Sequence, residues 1–107
     1  MEDIFPYLYL GCETFIMKSN GYINMTKICN KYNKNLSEIL QNEEISGYAN
    51  FLAEELNIPY AGLIIDRFDL NENARGQYIH KYLVARIIQE VSFDLYMKIS
   101  DIIWGRK

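Results

Sequence analysis

An α+β domain, a compact helical body carrying short β-hairpins, is what this sequence predicts. Three observations carry the prediction. Asn20-Gly21 stands between two apolar runs, and that step is a strong hairpin signal because both residue types tolerate positive φ. Met25, Ile28, Cys29 and Tyr32 recur at i, i+3, i+4 and i+7, which is one face of a helix. The polar segment Asn71-Glu72-Asn73-Ala74-Arg75-Gly76 separates Leu63-Ile64-Ile65 from Gln77-Tyr78-Ile79-His80, the pattern of a second hairpin with a polar tip. With 107 residues the chain has the size of one domain, 1–107. A chain of that size can take roughly two thirds of its unfolded surface out of water.

The elements follow in order. Strands are expected near residues 14–18 and 21–23. Asn24 reads as an N-cap, because a short side chain with an acceptor satisfies the unpaired amides of a first helical turn. The helix it opens has an apolar side and a basic side of Lys27, Lys31 and Lys34, and ends in Asn33-Lys34-Asn35. Leu36, Ile39 and Leu40 predict a short second helix, followed by a polar, exposed Gln41-Asn42-Glu43-Glu44. Ser46 is the expected cap of a third helix with Tyr48, Leu52 and Leu56 on its apolar stripe and Ala49 beside them. Asn57-Ile58-Pro59 ends that helix, since a proline seldom continues one. Leu83, Ile87 and Val91, widened by Val84 and Ile88, give a helix over 82–91. Ser92 caps a last helix from about Phe93, with Asp94 in its first turn and Tyr96, Ile99, Ile102, Ile103 and Trp104 as its apolar face; Gly105 suits its end.

Composition excludes several classes. Half the residues are hydrophobic, so the chain is not of the disordered kind. No stretch reaches the ~20 apolar residues of a membrane helix, and Met1-Glu2-Asp3 lacks the basic start of a signal peptide. No membrane partner is expected, and the expected location is intracellular. Cys12 and Cys29 are too few for a disulfide framework and read as buried thiols. No triad spacing, phosphate-cradling glycine loop or metal-ligand cluster stands in the sequence. The chain is therefore expected not to be an enzyme, with no cofactor, no metal and no small-molecule substrate. His80, the lone histidine, reads as a packed, hydrogen-bonded group ending a strand before a helix. Thr26 and Asn24 read as local caps.

The formal charge is −3, but it is segregated. From Thr14 to Ser37 the only charged residues are Lys18, Lys27, Lys31 and Lys34; from Glu38 to Glu55 they are Glu38, Glu43, Glu44, Glu54 and Glu55. A local basic face can therefore coexist with an acidic total.

Gly21-Tyr22-Ile23-Asn24-Met25-Thr26-Lys27 resembles the opening signature of the KilA-N domain: a glycine, an aromatic, then Ile-Asn-x-Thr-Lys. Arg75-Gly76-Gln77-Tyr78-Ile79-His80 is similar to that family's second signature, and Phe93-Asp94-Leu95-Tyr96-Met97-Lys98-Ile99-Ser100-Asp101 to its final helix. The resemblance spans about residues 13–104. It implies a DNA-binding domain of phages, poxviruses and other large DNA viruses, acting in the host cytoplasm or nucleus. It also implies kinship with the fungal APSES domain, in which helices and a β-hairpin wing meet DNA. In poxviral relatives the domain often precedes a RING domain; two cysteines and one histidine cannot supply its two zinc sites.

Two DNA-facing candidates follow. One is the first helix, with Lys27, Lys31 and Lys34 for phosphates and Asn33 and Asn35 for base edges or backbone. The other is the wing, with Arg67 and Arg75 near its strands and Asn71 and Asn73 near its tip. Double-stranded DNA is the expected partner. The acidic run over 38–55 motivates a second reading, a homodimerisation or other protein-interaction module on the same fold.

Overall fold

The computed structural model describes residues 3–93 and 95–97. Its sheet has five antiparallel strands: β1 (Ile4–Tyr9), β2 (Cys12–Met17), β3 (Ile23–Asn24), β4 (Ile64–Arg67) and β5 (Gly76–Ile79), in the spatial order β1-β2-β3-β5-β4. Among the described residues it is accompanied by the helices α1 (Met25–Lys31), α2 (Leu36–Gln41), α3 (Glu43–Leu56) and α4 (Lys81–Val91), with a 3-10 turn at Tyr60–Leu63. The α+β expectation holds.

One face of the sheet presents Ile16, Ile23, Ile79 and Ile64, paired across the strands. Against it pack Ile28 and Cys29 of α1, Ile45, Ala49 and Leu52 of α3, and Leu83, Ile87 and Ile88 of α4. Each fully buried aliphatic side chain of this kind contributes about 1.5–3 kcal/mol. Because side chains alternate along a strand, Phe15, Met17, Ile65 and Tyr78 point to the other face. There they form a smaller cluster with Ile4, Tyr22 and Leu70.

β1 escaped the sequence reading. Its IFPYLY run does not alternate and holds a proline, which argues against a strand. The pairing explains why Pro6 is tolerated. The hairpin turns through Leu10 (φ 52°) and Gly11 (φ 84°), a two-residue left-handed turn between Tyr9 and Cys12. Tyr9, Tyr7 and Phe5 then exchange ladder bonds with β2, in step with the Lys18 amide donating to the Asp3 carbonyl at 2.7 Å. Pro6 thus points its nitrogen outward from an edge strand, where no ladder bond is lost.

Several local expectations are corrected. The Asn20-Gly21 turn does join two strands, but only Gly21 takes positive φ (77°), and the Gly21 amide donates to the Met17 carbonyl in a wider loop. α3 starts at Glu43 with Asn42 as N-cap, its side chain accepting from the Glu44 and Ile45 amides. Ser46 is already in the first turn, its hydroxyl donating to the Glu43 carbonyl. The buried stripe of α3 is accordingly Ile45, Ala49, Leu52 and Ala53, while Tyr48 and Leu56 are half-buried. α1 stops at Lys31, because Asn33 takes positive φ (57°); Lys34 lies past the helix and not in line with Lys27 and Lys31. His80 ends no strand: it is the N-cap of α4, its Nδ1 accepting from the Tyr82 amide at 3.1 Å. Ser92 caps as expected, its hydroxyl accepting from the Leu95 amide. Phe93 and residues 95–97 are helical. Asp94, Ile99, Ile102, Ile103, Trp104 and Gly105 lie outside the described residues.

Candidate nucleic-acid interface

Asn24 organises the region that the sequence marks for DNA. It is the last residue of β3 and the N-cap of α1, and it is fully buried. Its Oδ1 accepts from the Lys27 amide at 3.0 Å, closing the first turn. Its Nδ2 donates to the carbonyls of Ala74 at 3.0 Å and Arg75 at 3.1 Å, fifty residues on in the wing. Asn24 is therefore a cap that also holds the wing to the helix. Thr26, expected as a local cap, does the same: its hydroxyl accepts from the Gln77 amide of β5 at 2.9 Å. Thr14 donates to the Asn24 carbonyl at 2.7 Å, and the buried Tyr78 hydroxyl donates to the Ala74 carbonyl.

Gly76 makes this approach feasible. Its φ is +148°, a conformation close to glycine-only. A Cβ there would stand 2.6 Å from Asn24 Oδ1 and 3.0 Å from the Thr26 Cβ. The two signature segments are thus one joint. Tyr22 and His80, which belong to the same segments, meet edge to face with ring centroids 5.4 Å apart, and the Tyr22 hydroxyl donates to the Gly62 carbonyl.

The joint has a consequence at the surface. Lys27 and Lys31 from α1 and Asn73 and Arg75 from the wing line one open depression of ≈ 410 Å³, with Thr26, Asn30, Glu13 and Glu72 completing the wall. Lys31, Asn73 and Arg75 are exposed; Lys27 is half-buried, its ammonium 5.8 Å from the centroid of the Phe15 ring. Three cations face two carboxylates in the wall, so the local balance is +1 in a chain of −3. Burial holds the Cys12 thiol above its ordinary value, and the charges of Lys31 and Lys27 offset this only in part, with Glu13 adding to it. Burial pushes the Cys29 thiol up to about 12, so it stays protonated.

The other expected residues lie elsewhere. Arg67 is engaged in a bidentate pair with Asp69, Nε to Oδ1 at 2.9 Å and Nη2 to Oδ2 at 3.0 Å. That hydrogen bonding raises Arg67 and lowers Asp69. Asn35 is the N-cap of α2, its Oδ1 accepting from the Glu38 amide. Asn33 and Lys34 are exposed in the connection from α1 to α2 and do not line the depression. Asn71 braces the wing turn, its Oδ1 accepting from the Ala74 amide. Asn30 went unread, although it sits three residues past Lys27 on the predicted helix and helical spacing alone would have found it. Glu13 carried no sequence signal, since only the fold brings it to the lysines, whereas Glu72 stands three residues before Arg75 and reads from the sequence as offsetting the wing's charge.

The acidic run lies apart. None of the carboxylates from 38 to 55 lines the depression, and α3 packs on α2, α4 and the 3-10 turn. Glu44 instead pairs with Arg86 of α4 at 3.4 Å. Among the described residues, no group of three or more His, Cys, Asp or Glu could hold a metal ion, and no helix is long and apolar enough to cross a membrane.

The model of the KilA-N domain family matches residues 8–105. The chain is 32% identical over 103 residues to a KilA-N domain-containing protein of Acanthamoeba polyphaga mimivirus, covering 89% of this chain and 29% of that protein. A second such protein of the same virus is 34% identical over 99 residues, covering 79% of this chain and 26% of that protein. An uncharacterized protein of fowlpox virus (strain NVSL) is 29% identical over 93 residues, covering 85% of this chain and 32% of that protein. The chain spans less than a third of the length of each of these relatives. No solved structure matches it.

Proposed function

The chain belongs to the KilA-N domain family, one associated with DNA binding rather than catalysis, and from that membership we propose that it binds double-stranded DNA through α1 and the β4–β5 wing. One observation carries the choice of surface. Lys27 and Lys31 come from one segment and Arg75 and Asn73 from another more than forty residues away, and the Asn24–Gly76 joint sets all four around one depression. The cations take phosphate oxygens as point charges, while Asn73 and Asn30 offer an amide to the backbone or to a base edge. The contacts are few and mainly to phosphate, so affinity is modest and sequence-tolerant. Arg67 joins them only by releasing Asp69. Lys34, Asn33 and Asn35 flank the site beyond α1. The cell compartment in this reading is that of an infected host, where the longer viral relatives of the chain belong.

The test is fluorescence anisotropy of a labelled duplex across salt concentrations. Three neutralised phosphates predict a slope of log affinity against log salt of about −2.7. Lys31→Glu combined with Arg75→Glu, on a fold that still melts cooperatively, removes binding at low salt. Unchanged affinity in that variant would sink the proposal.

A second reading, a protein-interaction module, has its own motive. Glu43, Glu44, Glu54 and Glu55 are exposed on α3 together with Phe51. That surface suits a basic partner or a second copy, and does not compete with the depression for residues. Light scattering that finds only monomer at high concentration removes the homodimer.

A further inference from the structure

The basic depression continues past Glu13. A larger hollow of ≈ 580 Å³ opens along β1 and β2, and Glu13, Lys27 and Asn73 line both. Its chemistry differs: Pro6, Leu8 and Phe15 form an apolar shelf. Pro6 pairs with Phe15 and Leu8 with Glu13, so these side chains stand on the sheet face turned away from the helices. Leu8 is 63% exposed, Pro6 is exposed and Phe15 half-buried. Contiguous large apolar side chains left in water mark a binding surface.

The rim indicates what the shelf holds. Lys27 belongs to both hollows, and Lys31 and Arg75 stand just beyond it. An apolar floor continuous with a set of cations fits a ligand whose apolar faces are strung along a polyanion. A single nucleic-acid strand is such a ligand, because its bases expose their ring faces and its phosphates follow at close spacing. In a duplex those ring faces are stacked away. The β1 edge also disfavours a second copy adding a strand here, since Pro6 removes the central outward amide.

We infer that the shelf of Pro6, Leu8 and Phe15 accepts an unstacked base of a single-stranded DNA segment while Lys27, Lys31 and Arg75 hold its phosphates. The inference rests on the DNA-binding reading above and adds to it a second mode, tighter on unpaired than on paired strands.

The test compares three dye-labelled probes of equal length by anisotropy: oligothymidine, a fully abasic strand and a duplex. The proteins are the wild type, Leu8→Ser/Phe15→Leu and Lys31→Glu/Arg75→Glu. Wild type should prefer oligothymidine to the abasic strand by about tenfold, the size expected for stacking on an aromatic side chain. The shelf variant should lose that preference and keep its affinity for the duplex. The charge variant should weaken on all three probes. If the shelf variant binds oligothymidine as wild type does, or weakens equally on all probes, the inference is overturned while DNA binding stands. If wild type binds none of the probes, both readings fall. Loss of self-association in the shelf variant, with strand binding intact, would assign the surface to a second copy and likewise overturn the inference. Leu8→Ser alone serves where the double variant does not fold.

Discussion

Two hairpins close the sheet at its opposite edges, β1–β2 and β4–β5, and they are built on opposite plans. The wing β4–β5 is tied into the body by side chains from outside it: Asn24 on Ala74 and Arg75, Thr26 on Gln77. Its exposed side chains are largely polar or charged, and several are already paired, as Arg67 with Asp69 and Gln77 with Asp66. The β1–β2 hairpin holds its inner strand through Cys12, Thr14 and Met17 but leaves Phe5, Tyr7 and Leu8 of its outer strand in water. Shape alone therefore does not set what a hairpin presents. The braced one can carry charge at a fixed distance from α1, while the edge one presents apolar area.

The contrast breaks most sharply at Asn24. Asn24→Ala takes the side-chain partner from the Lys27 amide and the Arg75 carbonyl and leaves the Ala74 carbonyl to the Tyr78 hydroxyl alone, and should cost about 2–4 kcal/mol, the sum of a lost cap and unpaired buried groups. Urea unfolding measures it, with Leu8→Ser as the control from the other hairpin, expected within about 0.5 kcal/mol of wild type. Equal losses in the two variants would mean that the wing is not braced in the way described. Next comes Gly76→Ala. The strained φ and the approach to Asn24 should cost about 1–3 kcal/mol by the same measurement, and the wing amides should exchange faster while those of β1 and β2 do not. A uniform change across the sheet would argue against a local joint.

The smallest effect is at His80, where the wing passes into α4. Burial, and then Lys81, holds its pKa below the ordinary 6.5, and its neutral Nδ1 caps the helix. The unfolded chain therefore takes the proton first as pH falls through 6.5, and this part of the stability is lost on acidification. His80→Asn keeps a capping acceptor and removes the titration. The pH dependence of its urea midpoint just below 6.5 should be flatter than that of wild type. An unchanged profile would place the titrating group elsewhere.

Much of the fold was legible because its signals are local. The α1 face of Met25, Ile28 and Cys29, the Asn24 cap, the wing and the helix over 82–91 each follow from spacing or capping within a few residues. The errors were local too: α3 opens at Asn42 rather than at Ser46, four residues earlier, and its buried stripe takes in Ile45 and Ala53 while Tyr48 and Leu56 are only half-buried. The candidate site was legible as a composition, lysines on one helix and polar residues on one hairpin. Which of them meet was not. Lys34 leaves the line because α1 ends at Lys31, and Arg67 is held by Asp69.

By itself the sequence determined the types of element, their order, the two signature segments and the basic character of α1, since hydrophobic period, caps and turn residues act over one or two turns of chain. Only the tertiary structure decided that Asn24 and Gly76 touch, that Arg75 joins Lys27 and Lys31, that the acidic run stays out of that wall, and that β1 is an edge strand with an exposed apolar side. Those are pairings across ten to fifty residues, and the Thr26–Gln77 bond spans 51. A hydroxyl or an amide in a sequence does not name its partner; the partner is fixed when the buried sheet face and the helices have closed on one another.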